Sequence, residues 1–277
     1  MLNSLQIVQY VVALETVYAT YLLDFSLMNH ERAYIKICFP LYNFSFIYNY
    51  LMASPRSFVD SFLDKKDGRY NPKMSPYIPM SKWRKGSQWI TLIRKHAEVV
   101  ADDDAVFPVF KIFCKRRPPL EASKGKKNMK LQKQHNCIPD EHYVQTLLAM
   151  YDFDGELERR TITYTEWNES VTNMEKKGWH PITFSYADAG PVQIKRIKDI
   201  RNVYYASEYR TEWCRSNSTL VTCFLFARKF SRGAAMRLLN EGAVSRNFKS
   251  STTAFQMNTM CRCCWRCMVL KGNLNAE

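Results

Sequence analysis

The sequence predicts a mixed α/β fold built around a sizeable hydrophobic core. Hydrophobic residues make up 46% of the 277-residue chain and aromatic residues 14%, which favours a globular domain over a disordered chain. The 16 Tyr, 16 Phe and 6 Trp are accompanied by 9 Gly. All-β chains usually need more turn glycines than this, so strands and helices are expected together.

The first elements predict a strand followed by a helix. Residues 7–23 are apolar at helical spacing but contain Gln9 and Glu15, and no basic residue precedes them. A buried amphipathic helix is therefore favoured over a membrane span or a secretory signal. Residues 32–40 are expected to form a strand that ends at a proline, and Phe44–Met52 a helix.

The middle of the chain predicts a loop and two further helices. Residues 64–79 are rich in Lys, Asp, Gly and Pro and predict a long surface loop. Residues 89–92 are expected to form a short strand, and Arg94–Ala101 a helix. Pro139 marks the start of another helix, whose later apolar residues run at helical spacing to Met150.

The basic charge is concentrated in one segment. The net charge is +14, and eight Lys and Arg residues lie between positions 115 and 134 against one acid, Glu121. Interrupting Pro, Ser and Gly residues predict an inserted exposed loop at 115–135. A solvated insertion is favoured, and a docking patch for an anionic substrate or lipid head group is the alternative. Nucleic acid is not an expected partner.

Four of the nine cysteines predict disulfides that close short loops: Cys114 with Cys137 around the basic segment, and Cys214 with Cys223. Three Asn-x-Ser/Thr sequences are candidate N-glycosylation sites: Asn43, Asn168 and Asn217. Both features favour an oxidising secretory compartment.

Residues 241–277 predict a Cys-rich, disordered tail after a catalytic domain at 1–240. The tail has four cysteines between positions 261 and 267 but no nearby histidine and no second ligand pair at zinc-finger spacing. S-acylation or free thiols are therefore favoured over a zinc site.

Two acidic segments are candidate functional sites. Asp102 and Asp104 have the spacing of a metal-binding Asp-x-Asp pair, although they follow a helical segment, so a solvated turn is favoured. Asp140 and Glu141 lie in the first turn of the helix that starts at Pro139, where the helix dipole stabilises acids. The alternative for Glu141 is a general base facing a cleft, with His142 either orienting it or lying in the core, the second being favoured.

Six motifs carry a resemblance to a known family: Phe39-Pro40-Leu41-Tyr42-Asn43-Phe44, Arg69-Tyr70-Asn71-Pro72-Lys73-Met74, Trp83-Arg84-Lys85-Gly86-Ser87-Gln88-Trp89, Pro139-Asp140-Glu141-His142-Tyr143, Thr163-Tyr164-Thr165-Glu166-Trp167 and Cys223-Phe224-Leu225-Phe226-Ala227-Arg228-Lys229-Phe230. On these, the chain from about residue 15 to 239 resembles plant members of the core-2/I-branching β-1,6-N-acetylglucosaminyltransferase family, glycosyltransferase family 14.

The resemblance implies a GT-A-like (Rossmann-like) α/β fold and inverting sugar transfer without a metal or other cofactor. It implies a UDP-sugar, with N-acetylglucosamine or glucuronic acid, as donor and a glycan as acceptor. It also implies a Golgi membrane protein with a lumenal domain. The family's anchor and the first strands of its nucleotide-binding half are expected before residue 15, so this chain is expected to be N-terminally truncated.

The resemblance also implies roles for individual residues. Glu141 corresponds to the catalytic base, Lys229 to a basic residue that neutralises the departing diphosphate, and Arg228 is a weaker candidate beside it. The implied substrate cleft contains five further residues: Arg69, Trp83, Gly86, Ser87 and Trp89. The two tryptophans are equally well interpreted as core residues.

Two departures from the family motifs support a second hypothesis. Ile35-Lys36-Ile37-Cys38 stands where plant relatives typically have Ser-Glu-Ser-Cys, and the second diphosphate-binding basic residue is not in place, with Arg196 and Lys177 nearby. The second hypothesis is therefore a catalytically inactive paralogue that acts by binding alone.

Overall fold

The computed structural model describes residues 37–65, 68–115, 136–167, 181–216 and 218–241. The strands, in chain order, are β1 (Ile37–Pro40), β2 (Ser57–Phe58), β3 (Phe62–Leu63), β4 (Arg84–Lys85), β5 (Leu157–Glu158), β6 (Thr163–Thr165), β7 (Asn202–Tyr205), β8 (Arg210–Trp213), β9 (Arg215–Ser216), β10 (Thr219–Leu220) and β11 (Phe226–Phe230). The α-helices are α1 (Phe44–Met52), α2 (Arg94–Ala101), α3 (Val106–Phe113), α4 (Pro139–Met150), α5 (Pro191–Lys198) and α6 (Arg232–Asn240). The predicted mixture of helices and strands is confirmed.

The chain divides into two compact units. Unit 1 takes in the described residues up to Ala53, those from Ile162 to Asn202 and those from Trp213 onward. Unit 2 takes in Ser54–Thr161 and Val203–Glu212. The single stretch predicted as a catalytic domain thus contains two units, each of which is described by itself below.

Unit 1 is organised around a three-stranded sheet with the order β1-β11-β6. The central strand β11 pairs antiparallel with β1 and parallel with β6. Helix α6 packs against β1 and β11. It is capped by Ser231, whose side chain accepts a hydrogen bond from the Ala234 amide. The ring of Phe230 contacts Phe39 and Phe184, with centroids 5.9 and 4.9 Å away, and fixes the end of the central strand in the core.

Unit 2 has its core between α3, α4 and the segment before β4. This core is formed by buried side chains spread over the unit: Met74, Ile78, Trp83, Val106, Phe110, Cys114, Cys137 and Leu147. Short strand pairs, β2 with β5 and β3 with β4, surround it. Helix α4 starts at Pro139 as predicted, because proline at this position loses no helical hydrogen bond.

Two local predictions differ from the structure. Residues 64–79 are not simply a surface loop, since Met74 and Ile78 are fully buried and the Tyr70 hydroxyl donates to the Ile78 carbonyl at 2.6 Å. The prediction followed the polar residues of this segment and missed Met74 and Ile78, which pack in the core. Residues 89–92 do not form a strand either, because the pairing is a single bridge between Thr91 and Phe58.

Several predicted features lie outside the described residues: the helix at 7–23, the basic segment from 116 to 135, Asn168, Lys177, Asn217 and the tail beyond 241. Within the described part of the chain, no helix is both long enough and apolar enough to cross a membrane.

The structure joins Cys114 to Cys137 and Cys214 to Cys223. The first pair lies at the end of α3 and just before α4, where the Cys137 amide also donates to the Lys115 carbonyl at 3.2 Å. Both of its cysteines are buried in the core of unit 2. The disulfide therefore ties the start of α4 to the end of α3.

Removing this disulfide is expected to lower the stability of the chain. Replacing Cys114 and Cys137 by Ala should cost about 3 kcal/mol of unfolding free energy, because 23 positions separate the bonded residues and the unfolded chain gains that loop's entropy. Urea unfolding measures the change. The control is Cys214 and Cys223 replaced by Ala, where the separation is 9 and the loss should be smaller. Equal stability of the wild-type chain with and without reductant would contradict the assignment.

Candidate active site

The carboxylate of Glu141 lies in the first turn of α4, held at one oxygen. Its Oε2 accepts a hydrogen bond from Arg69 Nη1 at 2.6 Å, and both side chains are partly exposed. No hydrogen bond from a described residue reaches Oε1. A carboxylate with one oxygen fixed by a guanidinium and the other accessible has the geometry of a general base.

Hydrogen bonds between the Arg84–Ser87 segment and α4 fix the backbone beside the Glu141 carboxylate. The segment from Arg84 to Ser87 runs along one face of α4. The Gly86 amide donates to the Glu141 carbonyl at 3.0 Å, and Gln145 Nε2 donates to the Ser87 carbonyl at 2.8 Å. The position of Glu141 is therefore set by a segment more than fifty residues earlier in the chain.

The other side of this segment lies directly against Asp60. A Cβ atom added at Gly86 would lie 1.6 Å from the Asp60 carbonyl oxygen, so only glycine allows the two backbones to approach this closely. The Ser87 amide donates to Asp60 Oδ2 at 3.2 Å. Gly86 and Ser87 thus connect Asp60 to the helix that carries Glu141.

Replacing Gly86 by Ala is expected to lower the unfolding free energy of unit 2 by about 1–3 kcal/mol. The backbone must move to relieve the overlap between the new Cβ and the Asp60 carbonyl oxygen. Displacement of the segment should also disturb the Gly86–Glu141 bond. Thermal unfolding measures the stability change. Gly155 provides the matched control, since no atom lies within 4 Å of a Cβ added there. An unchanged melting temperature in Gly86→Ala would contradict the observed close approach.

Trp83 lies in the core, which is the second of the two alternatives for this residue. It is fully buried and stacks on His142 and Phe110, with ring centroids 4.4 and 5.5 Å away. Its indole N–H donates to Asp64 Oδ2 at 3.3 Å. Because Trp83 is fully buried and packs against His142 of α4, its ring is not exposed for contact with a sugar.

His142 is a neutral core residue, as its favoured interpretation predicts. Its Nδ1 donates to the Arg84 carbonyl at 2.8 Å, which fixes the tautomer. Burial lowers its pKa to about 4. The ring therefore anchors α4 to the Arg84–Ser87 segment and does not touch the carboxylate of Glu141.

The remaining residues of the predicted cleft fall into two groups. Arg69 contacts the candidate base directly, whereas Ser87 acts through its backbone, and its hydroxyl accepts from the Trp89 amide at 3.2 Å. Trp89 is half-buried, and its carbonyl accepts from the Thr161 hydroxyl at 3.0 Å. Of these residues, Arg69 contacts the carboxylate of the candidate base, and Ser87 and Trp89 contribute backbone and side-chain hydrogen bonds around it.

Residues 102–104, three consecutive aspartates, form the junction between α2 and α3, which agrees with the favoured interpretation of a turn. The Asp102 amide donates to the Glu98 carbonyl at the end of α2. Asp103 accepts hydrogen bonds from three amides at the start of α3 and from the Tyr143 hydroxyl at 2.8 Å. Among the described residues, no group of three His, Cys, Asp or Glu side chains could hold a metal ion.

In unit 1, Lys229 lies near the carboxyl end of β11. Its carbonyl accepts from the Phe184 amide at 2.7 Å, and the chain then enters α6 at Ser231. No acidic side chain lies in the first turn of α6. A lysine next to the positive end of a helix is an arrangement that favours a phosphate group.

Arg228 lies on the same strand, near Cys38 of β1. Burial raises the pKa of the Cys38 thiol, and the charge of Arg228 acts in the opposite direction. Arg196, on α5, is 3.8 Å from Glu166 and is largely exposed. Asn43 is exposed and caps α1 by accepting from the Phe46 amide at 2.9 Å.

Sequence reasoning did not identify Asp60 or Tyr205. Asp60 Oδ1 and the Tyr205 hydroxyl are buried without a hydrogen-bond partner among the described residues. Asp60 lies 81 positions before Glu141, and Tyr205 belongs to the Val203–Glu212 part of unit 2, which is distant from both in the sequence. No local sequence pattern marks either residue.

Comparisons with known proteins agree with the motifs at this site. The family described as "Branch: Core-2/I-Branching enzyme" matches residues 35–198. The chain is 51% identical over 227 residues to "Glycosyltransferase BC10" from Oryza sativa subsp. japonica, an alignment that covers 77% of this chain and 55% of that protein. The chain thus spans about half the length of this curated relative. No solved structure matches the chain.

Proposed function

The chain belongs to the core-2/I-branching enzyme family, and on that premise we propose that it transfers a sugar from a UDP-sugar to a glycan hydroxyl by a single inverting displacement. Glu141 is the general base. The observation that carries the proposal is the geometry of its carboxylate, with Oε2 bound to Arg69 at 2.6 Å and Oε1 accessible.

The displacement needs a group that accepts one proton. As the acceptor oxygen attacks the anomeric carbon, its O–H bond weakens and the proton passes to Oε1 of Glu141. The ion pair with Arg69 keeps the carboxylate in one orientation, so the proton acceptor is in place before the substrate arrives. The bond between the sugar and the diphosphate breaks on the opposite face, which inverts the anomeric configuration.

The leaving diphosphate needs positive charge. Lys229 and the start of α6 supply it in unit 1, with Arg228 on the same strand as a further cation. A lysine and a helix terminus offer the neutralisation that a divalent metal supplies in other transferases. On this basis the reaction requires no metal and no other cofactor.

The fold, donor and compartment are part of the same proposal. Family membership supports proposing a GT-A-like arrangement, a donor with N-acetylglucosamine or glucuronic acid, and residence in the Golgi lumen. The two disulfides and the exposed Asn43, in an Asn-x-Ser sequence, support an oxidising secretory compartment.

Nucleotide binding tests the proposal. Calorimetry with UDP, UDP-N-acetylglucosamine and UDP-glucuronic acid, in the presence of EDTA, should show saturable binding for UDP and for one sugar nucleotide above the other. ADP provides the control ligand and should bind more weakly. Absence of saturable binding of every uridine nucleotide would overturn the proposed transferase function.

A further inference from the structure

Helix α1 is capped by an asparagine that also lies in a glycosylation sequence. Asn43 Oδ1 accepts a hydrogen bond from the Phe46 amide at 2.9 Å, which satisfies one of the free amides at the start of the helix. The same residue opens the sequence Asn43-Phe44-Ser45, in which a residue other than proline separates asparagine from serine. The secretory pathway attaches N-linked glycans at such sequences. One side chain thus has a structural role and a candidate modification role.

The two roles fall on different atoms of the Asn43 side chain. The cap uses the carbonyl oxygen, whereas an N-linked glycan is attached to the amide nitrogen, Nδ2. Nδ2 makes no hydrogen bond to any residue in the described ranges, and Asn43 and Ser45 are both exposed. A glycosylated amide keeps its carbonyl oxygen as an acceptor. Glycosylation therefore leaves the helix cap in place.

Two partly exposed aromatic residues lie beside this position. Phe44 is 47% exposed and Phe46 is 42% exposed. The Phe46 ring stacks on Tyr42, with centroids 4.3 Å apart, and Lys198 Nζ lies 4.7 Å from the centroid of the Tyr42 ring. Because the Phe46 amide is bonded to Asn43 Oδ1, the backbone that carries this ring is fixed next to the glycan position. The apolar face of a pyranose ring packs favourably on an aromatic surface of this kind.

We propose that Asn43 carries an N-linked glycan and that the first sugars of this glycan pack on Phe44 and Phe46. In the attachment step, Nδ2 bonds to the anomeric carbon of an oligosaccharide carried on a lipid diphosphate. The bond between that carbon and the diphosphate oxygen breaks, and the lipid diphosphate leaves with the electron pair. One proton passes from Nδ2 to a base of the host cell's glycosylating enzyme. The inference rests on the secretory compartment in the proposed function and requires no transferase activity of this chain.

Glycopeptide mass spectrometry tests the modification. The full chain is directed into the secretory pathway of plant cells by a cleavable signal, and only chain protected from added protease in intact microsomes is analysed. We expect a glycan on Asn43 in the wild type and none in Ser45→Ala, which removes the glycosylation sequence and keeps the cap. Ser45→Thr is the control and should retain the glycan. An unmodified Asn43 in the protected wild-type chain would overturn the proposal.

A double-mutant cycle tests the packing of the glycan on Phe46. Ser45→Ala, which lacks the glycan, should melt about 2–4 °C below the glycosylated wild type. In a Phe46→Ala background the same loss of glycan should change the melting temperature less, because the ring on which the sugar packs is absent. The direct effect of alanine at position 45 is the same in both backgrounds and cancels. Equal differences in the two backgrounds would overturn the packing.

Two variants at position 43 test the division of roles between Oδ1 and Nδ2. Asn43→Asp removes the glycan and keeps an acceptor for the Phe46 amide, whereas Asn43→Ala removes both. We expect Asn43→Asp to melt close to Ser45→Ala, and Asn43→Ala to melt lower than either. Equal melting temperatures for the two position-43 variants would overturn the separate role of the cap. Nucleotide binding is not a readout in these experiments, so a failed transferase proposal is distinguishable from a failed glycosylation proposal.

Discussion

Replacing Glu141 by Gln is expected to lower kcat for sugar transfer by about 10²- to 10⁴-fold, the usual contribution of a general base. Gln keeps the size of the side chain and can still accept from Arg69, but it does not take a proton at neutral pH. The affinity for UDP should stay within about twofold of wild type, since the nucleotide does not need this proton acceptor. Initial-rate kinetics and calorimetry measure the two quantities.

Asp140→Asn is the matched control for this variant. Asp140 is exposed in the same helical turn, so the substitution removes the same charge near the same helix terminus without removing the base. Its kcat should remain within about twofold of wild type. Full activity in Glu141→Gln, or an equal loss in both variants, would show that Glu141 is not the proton acceptor.

Replacing Lys229 by Met is expected to lower kcat by about 10²- to 10³-fold, the range seen when one charge-stabilising group is removed from a transition state. The negative charge on the diphosphate grows as the bond to the sugar breaks, so the effect should exceed any change in the binding of the intact donor. UDP, which carries the developed charge, should bind more weakly, with a reduced dependence on ionic strength.

Lys195→Met gives the comparison for Lys229. Lys195 lies on α5 in the same unit, is largely exposed and pairs with Asp199, so its removal changes net charge equally. Its kinetics should match wild type. If the two methionine variants behave alike, Lys229 has no specific part in neutralising the leaving group.

The start and end of the base helix could be predicted from local sequence. Pro139 begins α4 and the apolar residues that follow it reach Met150, because helix capping and periodicity act over short distances. The same holds for α1 and α2, whose predicted bounds agree with the structure. The mixed α/β class could be predicted from composition, because the chain has many aromatic residues and few turn glycines.

The partners of the base could not be predicted, because they are tertiary contacts. Arg69 lies 72 positions before Glu141, and the Gly86 amide, which donates to the Glu141 carbonyl, lies just after β4. Composition also cannot distinguish an aromatic side chain in a core from one in a cleft. The core position of Trp83 became clear only from its stacking on His142 in the structure. The motifs indicated candidate residues, and the structure distinguishes Arg69, which contacts the Glu141 carboxylate, from Trp83, which packs in the core.

The most direct test of the central claim is the anomeric configuration of the sugar in the product. Proton NMR follows the reaction of the wild-type chain with an α-linked UDP-sugar and a glycan acceptor in the presence of excess EDTA. A single displacement with Glu141 as base predicts a β-linked product whose rate of formation is unaffected by the chelator. An α-linked product, or loss of transfer that added divalent metal restores, would contradict the account.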